Sequence, residues 1–477
     1  MTHTHTDNLT GSWRELLGAR HLGTSVVLAG GVALYATNEF LTISLLPNTV
    51  AEIGGSRLYA WVTTLYLVGS VVAATMVNPM LVRAGARPSY LMGLALFGAS
   101  SLACGAAPNM ETLIAARALQ GVAGGLLAGL GYAVINAALP RSLWTRASAL
   151  VSAMWGVATV VGPATGGLFA QFGLWRWAFA AMAVLTALMA LLVPVALPAG
   201  RAGKGQSAEG TAPLRVPVWS LLLIGAAALA VSVAQLPHNN TAATAGLLAA
   251  GVALLGLFVV VDRRARAAVL PPSVFGRGPL KWVYLSMGVL MIGAMVDTYV
   301  PLFGQRLAHL TPVAAGFLGA ALAVGWTVSE IVSAALENPR VISRVIAVAP
   351  VVVASGLALA ALAQRADESA GNVAAWTLAL LAAGIGIGMA WPHLSVRAMD
   401  SVDDPAEGVA AAAAINTVQL ISGAFGAGVA GVVVNTTHGG DAAAARWLFA
   451  VFTALTAAGV VASYLATRQR VDFTTCE

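Results

Sequence analysis

The 477 residues are 58% hydrophobic and 9% charged, whereas soluble domains carry about 25% charged residues. That composition excludes a water-soluble enzyme or nucleic-acid-binding domain as the bulk of the chain and indicates a polytopic membrane protein. The formal charge of +6 hints at a basic partner surface until its distribution is followed along the chain.

Residues 1–22 read as a polar cytoplasmic tail. No cleavable signal is expected, because the first apolar run is too long for a signal h-region. The HTH triplet His3–His5 lies on that tail and reads as plain terminal sequence. The run Gly23–Pro47 follows. At 1.5 Å per residue, about 20 apolar residues cover roughly 30 Å of hydrocarbon, so it predicts a membrane helix. Glu39 lies near its middle. A carboxylate there costs about 2.5–3.5 kcal/mol on insertion scales, so it belongs against a bundle interior or a wet cavity. Tyr35, Asn38, Glu39 and Thr42 recur at i, i+3, i+4 and i+7 and share one polar face. The alternative makes Glu39 an ion-paired packing residue with no transport role.

Further apolar runs lie at 59–80, 88–107, 111–138, 145–170, 175–197, 216–236, 241–261, 280–304, 312–336, 343–363, 371–395, 407–434 and 443–466, predicting about fourteen helices. An even number leaves both termini on one side. With the N-terminus cytoplasmic, the outer loops hold only Arg57, Arg176, Arg306, Arg365 and Arg446, and the inner segments hold the other basic residues outside the spans. That asymmetry obeys the positive-inside rule. The net charge therefore reports topology in a cytoplasmic (inner) membrane, and no nucleic-acid partner is expected.

The expected organisation is an N-terminal six-helix bundle (23–197), a cytoplasmic linker (198–215), an inserted helix pair (216–261), a basic linker (262–279), a C-terminal six-helix bundle (280–466) and a cytoplasmic tail (467–477). Gly, Pro, Ser and charge make the first linker flexible. The second, DRRARAAVLPPSVFGRGPLK, either lies along anionic lipids or simply carries topology charge. Cys104 and Cys476 form neither a disulfide framework nor a metal spacing.

The halves echo each other at an offset of about 260 residues. Glu39 answers Asp297, and Pro47 and Pro301 follow them. Asn78-Pro79 with Arg83 answers Asn338-Pro339 with Arg344, and Gly162, Gly166 and Gly167 answer the glycines of Gly423–Gly431. Parallel repeats enclosing a midplane site are a transporter architecture.

LIAARALQGVAGG (Leu113–Gly125) puts Arg117, Gln120, Gly121 and Gly124 on one helix face. Small residues allow close helix contact, while a buried arginine needs an anionic or carbonyl partner. Met154–Gly173 carries Gly162-Pro163 and Gly166-Gly167, a bend flanked by small residues. These stretches resemble the RxxQG and antiporter motifs of the major facilitator superfamily. The helix number, the inserted pair and WRWAF at Trp175–Phe179 resemble its fourteen-span drug:proton antiporter branch. The resemblance implies an all-α fold of two six-helix bundles plus the inserted pair. It also implies proton transfer at Arg117 and outward-directed exchange through Gly162, Pro163 and Gly167, with Gly166 part of the same conformational motif. The loop NPMLVRAGAR matches the family's GxLaDrxGrk at Arg83, Gly85 and Arg87. Val82 stands where the family has its acid, so an acid-based latch is not expected there. Glu39 takes the place of the family's aspartate.

The mechanism expected is a proton-coupled antiporter in which Glu39 and Asp297 face one central cavity and Arg117 pairs with Glu39 until Glu39 is protonated. Glu330, with Trp326 and Ser333 on one face, is a further acid for protons or a cationic aromatic substrate, or else an acid satisfied locally. Asn38, Thr42, Tyr66, Gln120, Trp155, Tyr299, Trp326, Asn416 and Gln419 are candidate substrate contacts, the aromatics among them also fitting simple packing. His393 is assigned a local structural role.

No GxxxxGK[ST] loop is present, so the proton gradient, and no cofactor or metal, is the expected energy source. The expected partners are a small-molecule substrate, protons and membrane lipids, with the chain a monomer. The cargo is expected to be lipophilic, cationic or amphipathic compounds. A specific endogenous metabolite or lipid precursor on the same scaffold is the alternative, and a non-transporting sensor is disfavoured by the short loops.

Overall fold

The computed structural model describes residues 12–197, 217–236, 240–265, 268–276, 278–366, 369–402 and 405–468. The linker 198–215, His3–His5, the tail beyond 468 and the Asn78 side chain lie outside the described residues. In hydrocarbon each backbone N–H and C=O must be satisfied within its own segment, which leaves helix as the local solution for runs this apolar. Accordingly, every regular element among the described residues is helical.

The main helices among the described residues are α1 (Leu22–Ile53), α2 (Tyr59–Ala84), α3 (Ala86–Gly105), α4 (Met110–Ala133), α5 (Trp144–Gln171), α6 (Trp175–Ala196), α7 (Val218–Val233), α8 (Thr241–Arg264), α9 (Leu280–Ala294), α10 (Pro312–Ser333), α11 (Pro339–Ala363), α12 (Ala370–Asp400), α13 (Pro405–Thr436) and α14 (Asp441–Thr467). Each apolar run marked in the sequence is therefore helical. Among the described residues, 12 stretches are long and apolar enough to cross a membrane. The 20-residue α3 and the 16-residue α7 cover the other two runs. Helix starts are fixed by side-chain oxygens that accept otherwise orphaned amides: Asn109 from Thr112, Thr311 from Ala314 and Ser369 from Asn372. Between α2 and α3 the chain turns at Gly85, whose φ of 87° suits a residue without a Cβ.

One expected helix is interrupted. The run at 280–304 reads as continuous in sequence, but α9 ends at Ala294, a 3₁₀ turn covers Met295–Thr298, and helix resumes at Val300–Leu307. Pro301 explains the break: it has no N–H to give the Asp297 carbonyl, and its ring crowds that same carbonyl four residues back. Asp297 thus sits inside a broken membrane helix.

Two faces can be distinguished, the one bearing Trp13–Leu16 and the Gly85 turn (here the N-terminal face) and the distal face bearing residues 54–58 and 172–174. α1 packs on α4, α5 and α6, while α2 packs on α4 and α3 on α4 and α6. Correspondingly α10 and α11 pack on α12, and α14 packs on α9 and α11. The two groups meet where α5 and α1 touch α10 and where α2 touches α13. α7 leans on α13 and α2, and α8 leans on α7.

Candidate functional site

The polar face of α1 turns inward. Tyr35, Asn38, Glu39 and Thr42 are all buried, Glu39 being 9% exposed. Thr42 spends its hydroxyl on the Asn38 carbonyl of its own helix, 2.7 Å away. Around Asn38 four helices contribute to one hydrogen-bonded cluster. Gln120 of α4 donates to Asn38 Oδ1 at 3.2 Å and to Ser101 Oγ of α3 at 2.7 Å. Its Oε1 accepts from Arg117 Nη1 at 2.6 Å and from Cys104 Sγ at 3.6 Å. The Arg117 guanidinium lies 3.9 Å over the Tyr66 ring of α2, a cation–π contact strengthened by the dry surroundings. Tyr66 donates to the Tyr35 carbonyl at 3.1 Å, and Tyr35 stacks on Tyr66 and meets Trp155 edge-on.

The direct Arg117–Glu39 ion pair expected from the sequence is not made. Among the described residues the ion pairs are Arg176–Glu52 and Arg306–Asp441, both at the distal face. The spacing of Arg117 and Gln120 explains the difference: at i and i+3 they share a helix face, so the guanidinium reaches its own-helix partner first. Glu39 interacts with Arg117 through the field, without contact. Tyr66 and Gln120, expected at the cavity wall, are fully buried with their polar atoms taken up in this cluster. Ser101 and Cys104 carry no local signal; only the packing of α3 on α4 brings them in.

Gln120→Leu tests the cluster. It leaves Arg117, Asn38 and Ser101 short of a partner, and each buried group so orphaned costs about 1–3 kcal/mol. A lowered Tm of the purified protein is the expected outcome; an unchanged Tm would show that the cluster contributes nothing to stability.

In the other group Asp297 is 8% exposed, and its Oδ1 has no hydrogen-bond partner. Its carboxylate feels the charge of Glu39 across the two helix groups, without a direct contact. Tyr299 beside it stacks on Tyr59 of α2, with ring centroids 4.7 Å apart. Glu330 lies nearer the N-terminal face and accepts from Trp326 Nε1 at 2.9 Å; Trp326 packs at 5.1 Å on Trp391. Ser333 donates to the Met389 carbonyl and meets His393 Nε2 at 2.9 Å, which ties α10 to α12. Trp155, Trp326, Glu330 and Gln419 are half-buried and Asn416 is exposed.

The Gly-Pro motif of α5 sits between the groups. A Cβ on Gly162 would lie 2.5 Å from Phe40 Cβ, and one on Gly166 2.5 Å from the Leu41 carbonyl oxygen. On the opposite side a Cβ on Gly167 would lie 2.5 Å from Val313 Cα, and the Pro163 carbonyl abuts Gly316 of α10. The motif thus clasps the residues just after Glu39 with one side and α10 with the other. At the distal face Gln305 donates to Asn48 at 3.3 Å and Asn435 to the Arg57 carbonyl at 2.9 Å, joining the groups there. Arg83 is exposed and Arg87 half-buried at the N-terminal face, beside an exposed Val82.

A family model for the Major Facilitator Superfamily matches residues 28–427. A protein of Mycobacterium tuberculosis described as a probable multidrug-efflux transporter is 73% identical over 466 residues, 98% of each chain. The puromycin resistance protein of Streptomyces alboniger is 29% identical over 440 residues, covering 89% of this chain and 83% of that one. Among solved structures, a POT family transporter in complex with a thioalcohol-conjugated peptide superposes with a TM-score of 0.66 over 92% of this chain and 94% of that one at 12% identity, a likeness of fold. Motifs, helical packing and family model agree: this is a multi-pass membrane protein, and the chain belongs to the Major Facilitator Superfamily.

Proposed function

We propose that this chain is a proton-coupled exporter of lipophilic, cationic or amphipathic compounds, acting as a monomer in the inner membrane with both termini cytoplasmic. The observation that carries the proposal is the pair Glu39 and Asp297. These acids come one from each helix group, are buried, interact with each other and have no ion-pair partner among the described residues. A buried carboxylate with no direct counter-ion is costly to leave charged, and a proton is the smallest neutraliser. Support for the cargo class comes from the close mycobacterial relative and the puromycin resistance protein.

On this reading a proton reaching Glu39 or Asp297 from the distal side removes one of two repelling charges. The local change passes to α10 through Gly162, Pro163, Gly166 and Gly167, which touch both α1 and α10. Arg117 is held by Gln120 and Tyr66 as a fixed positive charge that favours the ionised form of Glu39 when the proton leaves. Trp155, Trp326, Asn416 and Gln419 surround the cargo, Tyr299 packs behind them on Tyr59, and Glu330 attracts the cargo's charge from the cytoplasmic side. Thr42 and Asn38 shape the wall beside Glu39. Arg83, Gly85 and Arg87 guide the cytoplasmic α2–α3 turn.

Flux in proteoliposomes with an imposed pH gradient and a chemically varied compound panel tests this. Uptake of several unrelated lipophilic cations, each abolished when the gradient is collapsed, is expected. Transport of one metabolite alone, or flux indifferent to the gradient, would overturn it.

A further inference from the structure

The inserted pair α7–α8 is bonded to one helix at both membrane faces. At the distal face Gln235, which follows α7 and is 3% exposed, accepts at 2.9 Å from Asn435 near the end of α13. Packing leaves no gap beneath this bond. A Cβ on Gly431 would overlap Gln235, and one on Gly428 would lie 3.0 Å from Val231 of α7. At the N-terminal face the fully buried Asp262 ends α8. It accepts from Ser220 of α7 at 2.7 Å and from the amides of Val269 and Leu270 at 2.8 and 2.9 Å. The segment so held runs into the 3₁₀ turn Pro272–Phe275, where the Ser273 amide donates at 2.7 Å to Glu407 in the first turn of α13. Residues 268–276 of the basic linker thus form a strap from the end of α8 to α13, with a carboxylate at each anchor.

The contact with the other helix group is looser. α7 packs on α2 less extensively than on α13, and there a Cβ on Gly225 would find Val68 at 3.9 Å, an ordinary contact distance that demands no glycine. The polar link at that seam runs from Asn435 to the Arg57 carbonyl, past α7.

We infer that the inserted pair is carried by α13 as part of the C-terminal group, so that opening of the distal face parts α7 from α2 while α7 stays on α13. Packed helix groups move as bodies about their weaker interfaces, and here the weak interface is the one between α7 and α2. The inference goes beyond the transport proposal and does not depend on the cargo.

Spin labels test it in a variant lacking Cys104 and Cys476. One label at Thr241, the start of α8, is paired with Ser56 in the N-terminal group or with His438 after α13. Gly167→Trp serves as a wedge, because position 167 faces Val313 backbone at the distal crossing. With the wedge, the Thr241–Ser56 distance should lengthen and the Thr241–His438 distance should hold. The reverse pattern, or lengthening of both, would overturn the inference. Should the wedge variant not fold, Gln305→Ala gives the same readout, because it removes the distal bond to Asn48 between the groups and leaves the Asn435–Gln235 bond intact. Losing the bond to Asn48 should raise the long Thr241–Ser56 population about fivefold, again with Thr241–His438 unchanged; a change confined to Thr241–His438 would refute it.

Discussion

Replacing Glu39 with glutamine is expected to abolish export driven by an imposed pH gradient while leaving the protein folded. Glutamine has nearly the same volume and cannot carry a proton. Glu39 makes no ion pair among the described residues, so the exchange orphans no buried cation. Each charge moved through about 100 mV supplies roughly 2.3 kcal/mol, equivalent to an approximately fiftyfold concentration ratio. Loss of that ratio, with exchange of labelled for unlabelled cargo preserved, is the signature of uncoupling. Asp297→Asn provides the comparison from the other helix group. Cargo-driven proton release at the normal rate in the Glu39 variant would remove that residue from the mechanism. Asp297 would then remain as the carrier if its own variant were silent.

Gly121→Val should disrupt folding more than any polar substitution in the cluster above it. At this point α4 and α2 touch backbone to backbone: Ser70 Oγ lies 3.1 Å from the Gly121 carbonyl oxygen. A Cβ on Gly121 would overlap the Tyr66 carbonyl, and one on Gly125 would lie 2.6 Å from Ser70 Cα. Overpacking a core costs about 1–3 kcal/mol, occasionally more, and a backbone obstacle cannot rotate aside. The same crossing recurs in the second group. There Gly384 and Gly388 meet the Leu322 and Trp326 carbonyls of α10, again four residues apart. Recovery of monodisperse protein after extraction should collapse for Gly121→Val and Gly384→Val. Gly246→Ala should behave as the parent protein, since nothing lies within 4 Å of that position. Equal recovery of all three would show that these crossings do not need glycine.

Some of this was legible in residue order. Helix positions were, because lipid leaves the backbone one way to satisfy its polar groups and apolar run length reports it directly. The inward turn of Glu39 was legible because a carboxylate facing lipid is costly and the helical period shows which residues share its face. The Gly384–Gly388 partner of Gly121–Gly125 was present in the sequence, but in a chain this rich in glycine nothing local marks which glycines meet a neighbour's backbone. Other features depend on which helices become neighbours. The choice of Gln120 over Glu39 by Arg117, the entry of Ser101 and Cys104 into the cluster, and the strap from Asp262 to Glu407 join residues far apart in the chain. The break at Asp297 lies between these cases, since Pro301 foretold a disturbed helix and only packing decided that the freed turn would hold a buried carboxylate. Hydropathy and period act along one segment, whereas partner choice is set by distances between segments, and those exist only once the helices have packed.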